Sequence, residues 1–216
     1  MTVRSPSSKR KYNSSRRKAQ ADETSRQIVE AARMMFLERG YSGTTIEAIA
    51  RTAGVAQETV YSTFKNKYRI LHYLFNISIG GDERRIRVID RPEPQAILQE
   101  TDARRQLALF AENMTEILSR AAPILEIMRS AAKTETEIAG LFRRFLKERL
   151  KNMKIVAGHV AANGPLRNTM DPDAAGELIW SMTSPELYQL LTNDLGWSKK
   201  KFEAWLADVL TILLLP

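Results

Sequence analysis

Short polar side chains between residues 57 and 63 are the first candidates for chemistry in this sequence. They are Gln57, Glu58, Thr59, Ser62 and Thr63. A helix that begins near Gln57 places them on one outward face. In the major groove of DNA, Gln can pair with adenine through two hydrogen bonds, and Glu can accept a hydrogen bond from cytosine. The pattern therefore predicts a surface that contacts base edges, with Gln57, Glu58 and Thr59 as the candidate base readers.

Such a surface needs a rigid support, and the preceding residues predict one. Thr44-Thr45-Ile46-Glu47 fits a capping box that begins a short helix. Ala50 is small enough for two helices to cross, Gly54 permits a tight turn, and Val55 supplies an apolar residue after it. Two short helices joined in this way predict a helix-turn-helix unit.

Neighbouring segments complete a small helical domain. A capping box at Thr24-Ser25-Arg26-Gln27 predicts the start of the first helix, which Gly40 ends. Asn66 is a candidate cap for a fourth helix after the Lys65-Asn66-Lys67 interruption.

The charge of the chain is concentrated at its N-terminal end. Residues 1–75 contain 14 Lys and Arg against 6 Asp and Glu, whereas residues 76–216 contain 19 of each, so the whole net charge of +8 lies in the first third. Residues 1–22 are rich in Ser, Lys and Arg, which predicts a disordered arm that is either a solvated tail or a DNA contact. A basic head on a neutral body predicts a polyanion-binding domain over residues 23–75.

The residues required for catalysis or metal binding are scarce. The chain has no Cys, and its two His, His72 and His159, are far apart. We find no G-x-S-x-G, no metal-ligand spacing and no triad with a His. An enzyme acting on small hydrophobic substrates is therefore the weaker hypothesis, and we expect no catalytic residue, metal or cofactor. No apolar run approaches the length of a membrane span and no secretory signal is present, so we expect a cytoplasmic protein without a membrane partner.

Residues 76–216 predict further helices and no strand. Pro123 is expected to begin a helix, and a long helix is expected over about residues 135–162. Two more are expected at about residues 171–193 and 198–214. The predicted class is all-α, with an N-terminal helix-turn-helix domain and a C-terminal helical domain.

The last two predicted helices are apolar on one face, which favours a homodimer. A two-fold pair would bury one set of apolar side chains in a four-helix bundle. That set is Leu178, Leu190, Leu191, Leu206, Val209 and Leu213. The alternative is that these faces only close the core of the monomer. In a dimer, the recognition helices should lie roughly 34–36 Å apart, or a multiple of that distance, on a palindromic site.

Residues 26–74 resemble the DNA-binding domain of the TetR family of transcriptional regulators. The matching residues are Ile28, Ala31, Ala32, Phe36, Gly40, Thr44, Thr45, Ile49, Ala50, Gly54, Val55, Thr59, Tyr61, Phe64, Lys65, Lys67 and Leu71. The resemblance implies phosphate contacts by Tyr61, Lys67, Lys65 and either Thr44 or Thr45. Two positions depart from the family pattern. Ala56 leaves the third helix without a side-chain cap, and Glu58 brings a negative charge close to phosphates.

The resemblance also implies a ligand-binding C-terminal domain. Candidate pocket residues are Phe110, Met114, Met128, Phe142, Phe145, Met153, His159, Trp180 and Met182. Their Met-rich, aromatic character favours an apolar or aromatic small molecule, although an ordinary packed core would have the same composition. We therefore expect a repressor that a small, largely apolar ligand releases from its operator. A ligand-blind or architectural DNA-binding protein is the alternative.

Overall fold

The computed structural model describes residues 12–84 and 86–216, and this part of the chain contains helices and no strand. The helices are α1 (Tyr12–Arg39), α2 (Ile46–Ala53), α3 (Gln57–Phe64), α4 (Lys67–Gly80), α5 (Pro92–Gln99), α6 (Ala103–Ala131), α7 (Thr136–Ala162), α8 (Pro172–Met182), α9 (Pro185–Gln189) and α10 (Lys199–Leu214). Short 3₁₀ turns lie at Val88–Asp90 and Arg167–Thr169, and a π-helical turn at Leu190–Asp194 follows α9. The predicted all-α class is confirmed.

The chain divides into two compact units after Leu71, within α4. The sequence places the domain boundary nearby, at residue 75. In the N-terminal unit, the apolar faces of α1, α2 and α3 supply a core that includes Ile28, Phe36, Ile49 and Val60. Burial of these side chains is the main force that holds such short helices together.

The first helix begins earlier than the sequence predicts. Thr24 lies inside α1 and caps nothing, because the helix already begins at Tyr12. Residues 12–22 contain no Gly or Pro, so the helix extends backward from the buried turns around Ile28. The predicted disorder of residues 1–22 is thus wrong for residues 12–22, whereas residues 1–11 lie outside the described part. From residue 16 to residue 23 the side chains are exposed.

The C-terminal unit is built around α6 and α7. Pro123 does not begin a helix, because it lies inside α6. A proline in a helix interior costs about 3 kcal/mol. Its neighbours Ala122 and Ile124 are both buried, and this packing offsets the cost. The helix predicted at 135–162 is confirmed as α7.

Two helix starts and one unexpected break shape the C-terminal end. Asp171 caps α8 and Ser198 caps α10, at the two helix starts that the sequence predicts. However, the helix predicted over residues 171–193 is interrupted, because Ser184 caps a new helix, α9, with Pro185 at its first position. Gly176 of α8 lies so close to α7 that a Cβ atom there would be 2.8 Å from the Cα of Lys154. Only glycine fits at this contact.

Candidate nucleic-acid interface

The turn between α2 and α3 has the geometry that the sequence predicts. The hydroxyl of Thr45 accepts a hydrogen bond from the amide of Ala48 at 3.1 Å and so caps α2. Gly54 ends α2 with a left-handed backbone (φ 68°, ψ 29°), which glycine adopts without steric cost. The amide of Val55 then donates to the carbonyl of Ala50 at 3.0 Å. These bonds fix the position of α3 against α2.

The outward face of α3 is polar and accessible. Val60 and Phe64 hold the helix to the core. On the opposite side Glu58 and Ser62 are exposed, Gln57 and Thr59 are half-buried, and Tyr61 is 51% exposed. The structure therefore brings the predicted base readers together on one face with Tyr61. As predicted, no side chain caps α3 at Ala56.

Thr44 does not share this surface. Its side chain is 1% exposed, and its hydroxyl donates to the carbonyls of Met35 at 3.1 Å and Gly40 at 2.8 Å. Thr45 is the cap of α2, so the expectation that Thr44 caps this helix is wrong. Of the two threonines, Thr45 is exposed and presents the N-terminal end of α2, where backbone amides favour anions.

Lys67 has structural partners that the sequence does not reveal. Its ammonium group donates to the carbonyl of Tyr41 at 2.7 Å and to that of Thr44 at 2.9 Å. It also lies 4.0 Å from the centre of the Tyr41 ring, which is a cation–π contact. Lys67 therefore ties the start of α4 to the loop that positions the N-terminus of α2.

This arrangement predicts that Lys67→Met weakens folding as well as DNA binding. The variant leaves two loop carbonyls without a charged donor, so we expect the free energy of unfolding to fall by about 2 kcal/mol. Urea unfolding and operator binding as a function of salt measure the two effects. Lys65→Met is the control for the unfolding measurement, because the Lys65 side chain is exposed. An unchanged unfolding free energy, together with a salt slope reduced by about 1, would instead assign Lys67 to phosphate alone.

Lys65 occupies a sharp turn between α3 and α4. Its backbone has φ 66° and ψ −45°, and the amide of Asn66 donates to the carbonyl of Phe64 at 2.7 Å, which is a γ-turn. The side chain of Asn66 accepts from the amide of Arg69 at 2.9 Å, which confirms its predicted role as a cap. The turn leaves the Lys65 side chain exposed beside the end of α3.

The predicted pocket residues are mostly core residues. Phe110, Met114 and Met153 belong to one buried cluster, against which Trp180 and Met182 pack. Met128 and Phe142 are buried as well, and the half-buried Phe145 ring lies 6.2 Å from that of Phe142. His159 is exposed on α7, so its predicted place in the pocket is wrong. One cleft of about 290 Å³ in this unit is lined by other residues, among them Gly80, Asp82, Arg91 and Arg120.

The predicted dimer residues separate into two groups. Leu191 and Leu206 are buried within the chain, so they have little surface to offer a partner and were wrongly included. Leu190 is 51% exposed, and Leu178, Val209 and Leu213 are half-buried.

Two further exposed apolar residues were missed, Leu195 at 62% and Ile212 at 63%. Ile212 could have been found, because it lies three residues after Val209 on α10. Leu195 lies beyond the last regular turn, where periodicity gives no indication.

The geometry of α2, the turn and α3 defines a helix-turn-helix DNA-binding protein. Residues 28–74 match the model of the bacterial regulatory proteins of the tetR family. The chain belongs to the TetR family of DNA-binding transcriptional regulators. Within the part of the chain that the structure describes, no helix is long and apolar enough to cross a membrane.

Two curated relatives and one solved structure extend the likeness beyond the DNA-binding domain. The fatty acid metabolism regulator protein of Bacillus subtilis is 25% identical over 78% of this chain and 84% of its own length. The HTH-type transcriptional repressor BepR of Brucella suis is 25% identical over 84% of this chain and 87% of its own. The crystal structure of FadR from Bacillus subtilis with stearoyl-CoA has a TM-score of 0.65 and 23% identity, and it covers 85% of this chain and 96% of its own.

Proposed function

We propose that this protein is a dimeric repressor that binds a palindromic operator and leaves it when a small, largely apolar ligand binds. One observation carries the DNA-binding part of the proposal: the accessible polar face of α3 on a capped helix-turn-helix. On this face Gln57, Glu58 and Thr59 contact base edges, while Tyr61, Ser62 and Lys65 lie at the phosphates. Thr45 adds a phosphate contact at the start of α2.

The exposed apolar residues near the C-terminus support the dimer. Leu190, Leu195 and Ile212 are each more than half exposed. Because a repressor with one recognition helix per chain needs two chains to read a palindrome, this surface is the natural place for a two-fold contact. We place the protein in the cytoplasm, where its DNA lies.

The ligand part of the proposal rests on the C-terminal core and on the relatives. Methionines such as Met114 and Met153 repack easily around an apolar guest. A related FadR is seen with stearoyl-CoA, a ligand with a long apolar chain. The ligand must bind the released conformer more tightly than the DNA-bound one, because equal affinity would shift nothing. A ligand-blind DNA-binding protein remains the second candidate, because the DNA-binding face would be the same.

In-vitro selection of bound duplexes tests the DNA-binding surface. Gln57→Ala should relax sequence preference at one position of each half-site, at a cost of about 1–3 kcal/mol against the best sequence. Tyr61→Phe removes one phosphate donor, so it should weaken all sequences alike. Gln99→Ala at an exposed position of α5 is the matched control. If Gln57→Ala selects the same sequences with the same affinity as the parent protein, α3 does not read the bases.

A gel-shift titration separates the two candidate functions. Lauric acid or another phosphate-free apolar compound should release the operator from the parent protein and raise its melting temperature. A protein that no compound releases is the ligand-blind alternative.

A further inference from the structure

The exposed side of α7 carries an uninterrupted cationic stripe. Its members are Arg143, Arg144, Lys147, Lys151 and Lys154. At 100° per residue they fall within an arc of roughly 100°, and at 1.5 Å per residue they span roughly 17 Å of the helix. The stripe is unusual in its surroundings, because residues 76–216 together carry equal numbers of acidic and basic side chains.

The stripe is also poorly neutralised. Among the ion pairs of the described residues, only Lys154 of this stripe takes part, with Asp173 at 2.9 Å and Glu177 at 3.6 Å. The other four members are exposed. Like charges four residues apart, such as those of Lys147 and Lys151, repel each other and weaken a helix by a few tenths of a kcal/mol. A bound anion would remove this repulsion.

A shallow hollow of about 460 Å³ lies on the same face. It is lined by Lys147, Lys151 and Lys154 together with the half-buried apolar side chains Leu150 and Ile155. Lysine ammonium groups next to aliphatic side chains suit a ligand in which a phosphate is attached to a carbon chain, because the ammonium groups can bind the phosphate while the aliphatic side chains contact the carbon chain.

We infer that this stripe binds the phosphates of a coenzyme A thioester. The acyl part of that ligand rests on the function proposed above, whereas the phosphate contacts rest on α7 alone. The ammonium groups of Lys147 and Lys151 form charge-assisted hydrogen bonds with phosphate oxygens, and Arg143 and Arg144 extend the positive field along the helix.

Two other anionic partners fit the face less well. A membrane surface favours large apolar side chains that can insert, but none of the exposed large apolar residues of the described chain lies on α7. Duplex DNA needs a broad basic surface, whereas outside the stripe residues 76–216 carry 14 Lys and Arg against 19 Asp and Glu and are therefore net acidic.

Calorimetry on the full chain tests the inference with free coenzyme A and with lauroyl-CoA. Lys147→Gln/Lys151→Gln should weaken both ligands roughly ten-fold at 50 mM salt, and the difference should shrink at 200 mM salt because exposed charge pairs are screened. Operator affinity should not change, and the melting temperature should change by no more than about 1 °C, because neither lysine has an ion-pair partner in the described structure and their mutual repulsion is small. Lys133→Gln/Lys200→Gln is the control, because it removes the same charge at two exposed positions outside the stripe.

Each outcome decides the inference independently of the proposed function. Equal affinities of the parent and the Lys147→Gln/Lys151→Gln protein for both ligands would overturn it, even if lauric acid still releases the operator. If free coenzyme A binds through the two lysines but no compound releases the operator, the inference stands and the proposed function falls. If phosphatidylglycerol vesicles or a non-specific duplex bind these lysines more tightly than coenzyme A, the stripe has a different partner and the inference is wrong.

Discussion

Ile212→Glu should convert the proposed dimer into a monomer and lower operator affinity more than 100-fold. The side chain of Ile212 is 63% exposed on α10, and α10 packs against the π-helical turn that carries the exposed Leu190. In a two-fold contact the substitution would place two carboxylates, one from each chain, in an apolar interface. Burial of an unpaired charge costs several kcal/mol. A monomer then binds only one half-site and loses the additional affinity that two linked DNA-binding domains have for two half-sites.

Light scattering after size exclusion, at micromolar concentration, measures the oligomeric state, and gel shifts measure operator affinity. Ile86→Glu is the matched control because Ile86 is also exposed, at 41%, but lies on neither α8, α9 nor α10. It should leave both measurements unchanged. A dimer of undiminished stability in the Ile212→Glu protein would show that the chains meet elsewhere.

Features determined by neighbouring residues could be predicted from the sequence. The helix starts at Asn66, Asp171 and Ser198 depend on a side chain and an amide two or three residues away, and the structure has all three, whereas the cap predicted at Thr44 lies one residue later at Thr45. The turn at Gly54 is local in the same sense, because its backbone requires a left-handed residue at one position. Local hydrogen bonding therefore placed these helix starts to within one residue.

Features that depend on tertiary packing could not be predicted in the same way. Pro123 is a strong local signal for a helix start, yet the buried residues around it hold α6 together. At the break between α8 and α9, a local signal for a helix start was correct but was not used. Ser184 is a cap and Pro185 is the first helical residue, yet the apolar periodicity continues on both sides and predicts one unbroken helix.

The candidate site shows the same limit at the level of single side chains. Helical periodicity placed Gln57, Glu58 and Ser62 on the accessible side of α3. Periodicity carries no information on whether a polar group finds an internal partner, so the buried hydroxyl of Thr44 and the internally bonded ammonium of Lys67 came only from the structure. Likewise an apolar stripe does not distinguish a core from an interface.

Arg149 is the other residue whose role only the structure reveals, and Arg149→Met should destabilise the C-terminal unit by about 2–3 kcal/mol. Its side chain is buried on α7, and one guanidinium nitrogen donates to the carbonyl of Trp180 at 2.6 Å and to the hydroxyl of Thr183 at 2.8 Å. Both acceptors lie at the C-terminal end of α8, where the helix dipole is negative. Burial lowers the pKa of Arg149 to about 10, so the group remains charged at neutral pH.

Methionine retains most of the apolar volume of the arginine but neither the charge nor the donors. The expected loss is that of hydrogen bonds from a charged donor, and for a chain of this size it corresponds to a fall in melting temperature of roughly 5–10 °C. Arg143→Met is the control, since Arg143 is exposed on the same helix and should change stability by less than about 0.5 kcal/mol. Equal melting temperatures for Arg149→Met and the parent protein would contradict this prediction. They would show that the free-energy cost of burying the guanidinium equals the stabilisation from its hydrogen bonds.

The position of Arg149 also links stability to assembly. Thr183 is the last residue before Ser184 begins α9, and α9 leads directly to the exposed Leu190. If Arg149 holds the break between α8 and α9 in place, Arg149→Met should weaken both the dimer and the fold of the single chain. Ile212→Glu, in contrast, should break the dimer but leave the melting temperature of the separated chain nearly unchanged. Measuring dimer dissociation and thermal unfolding for both variants distinguishes a residue that positions the interface from one that forms it.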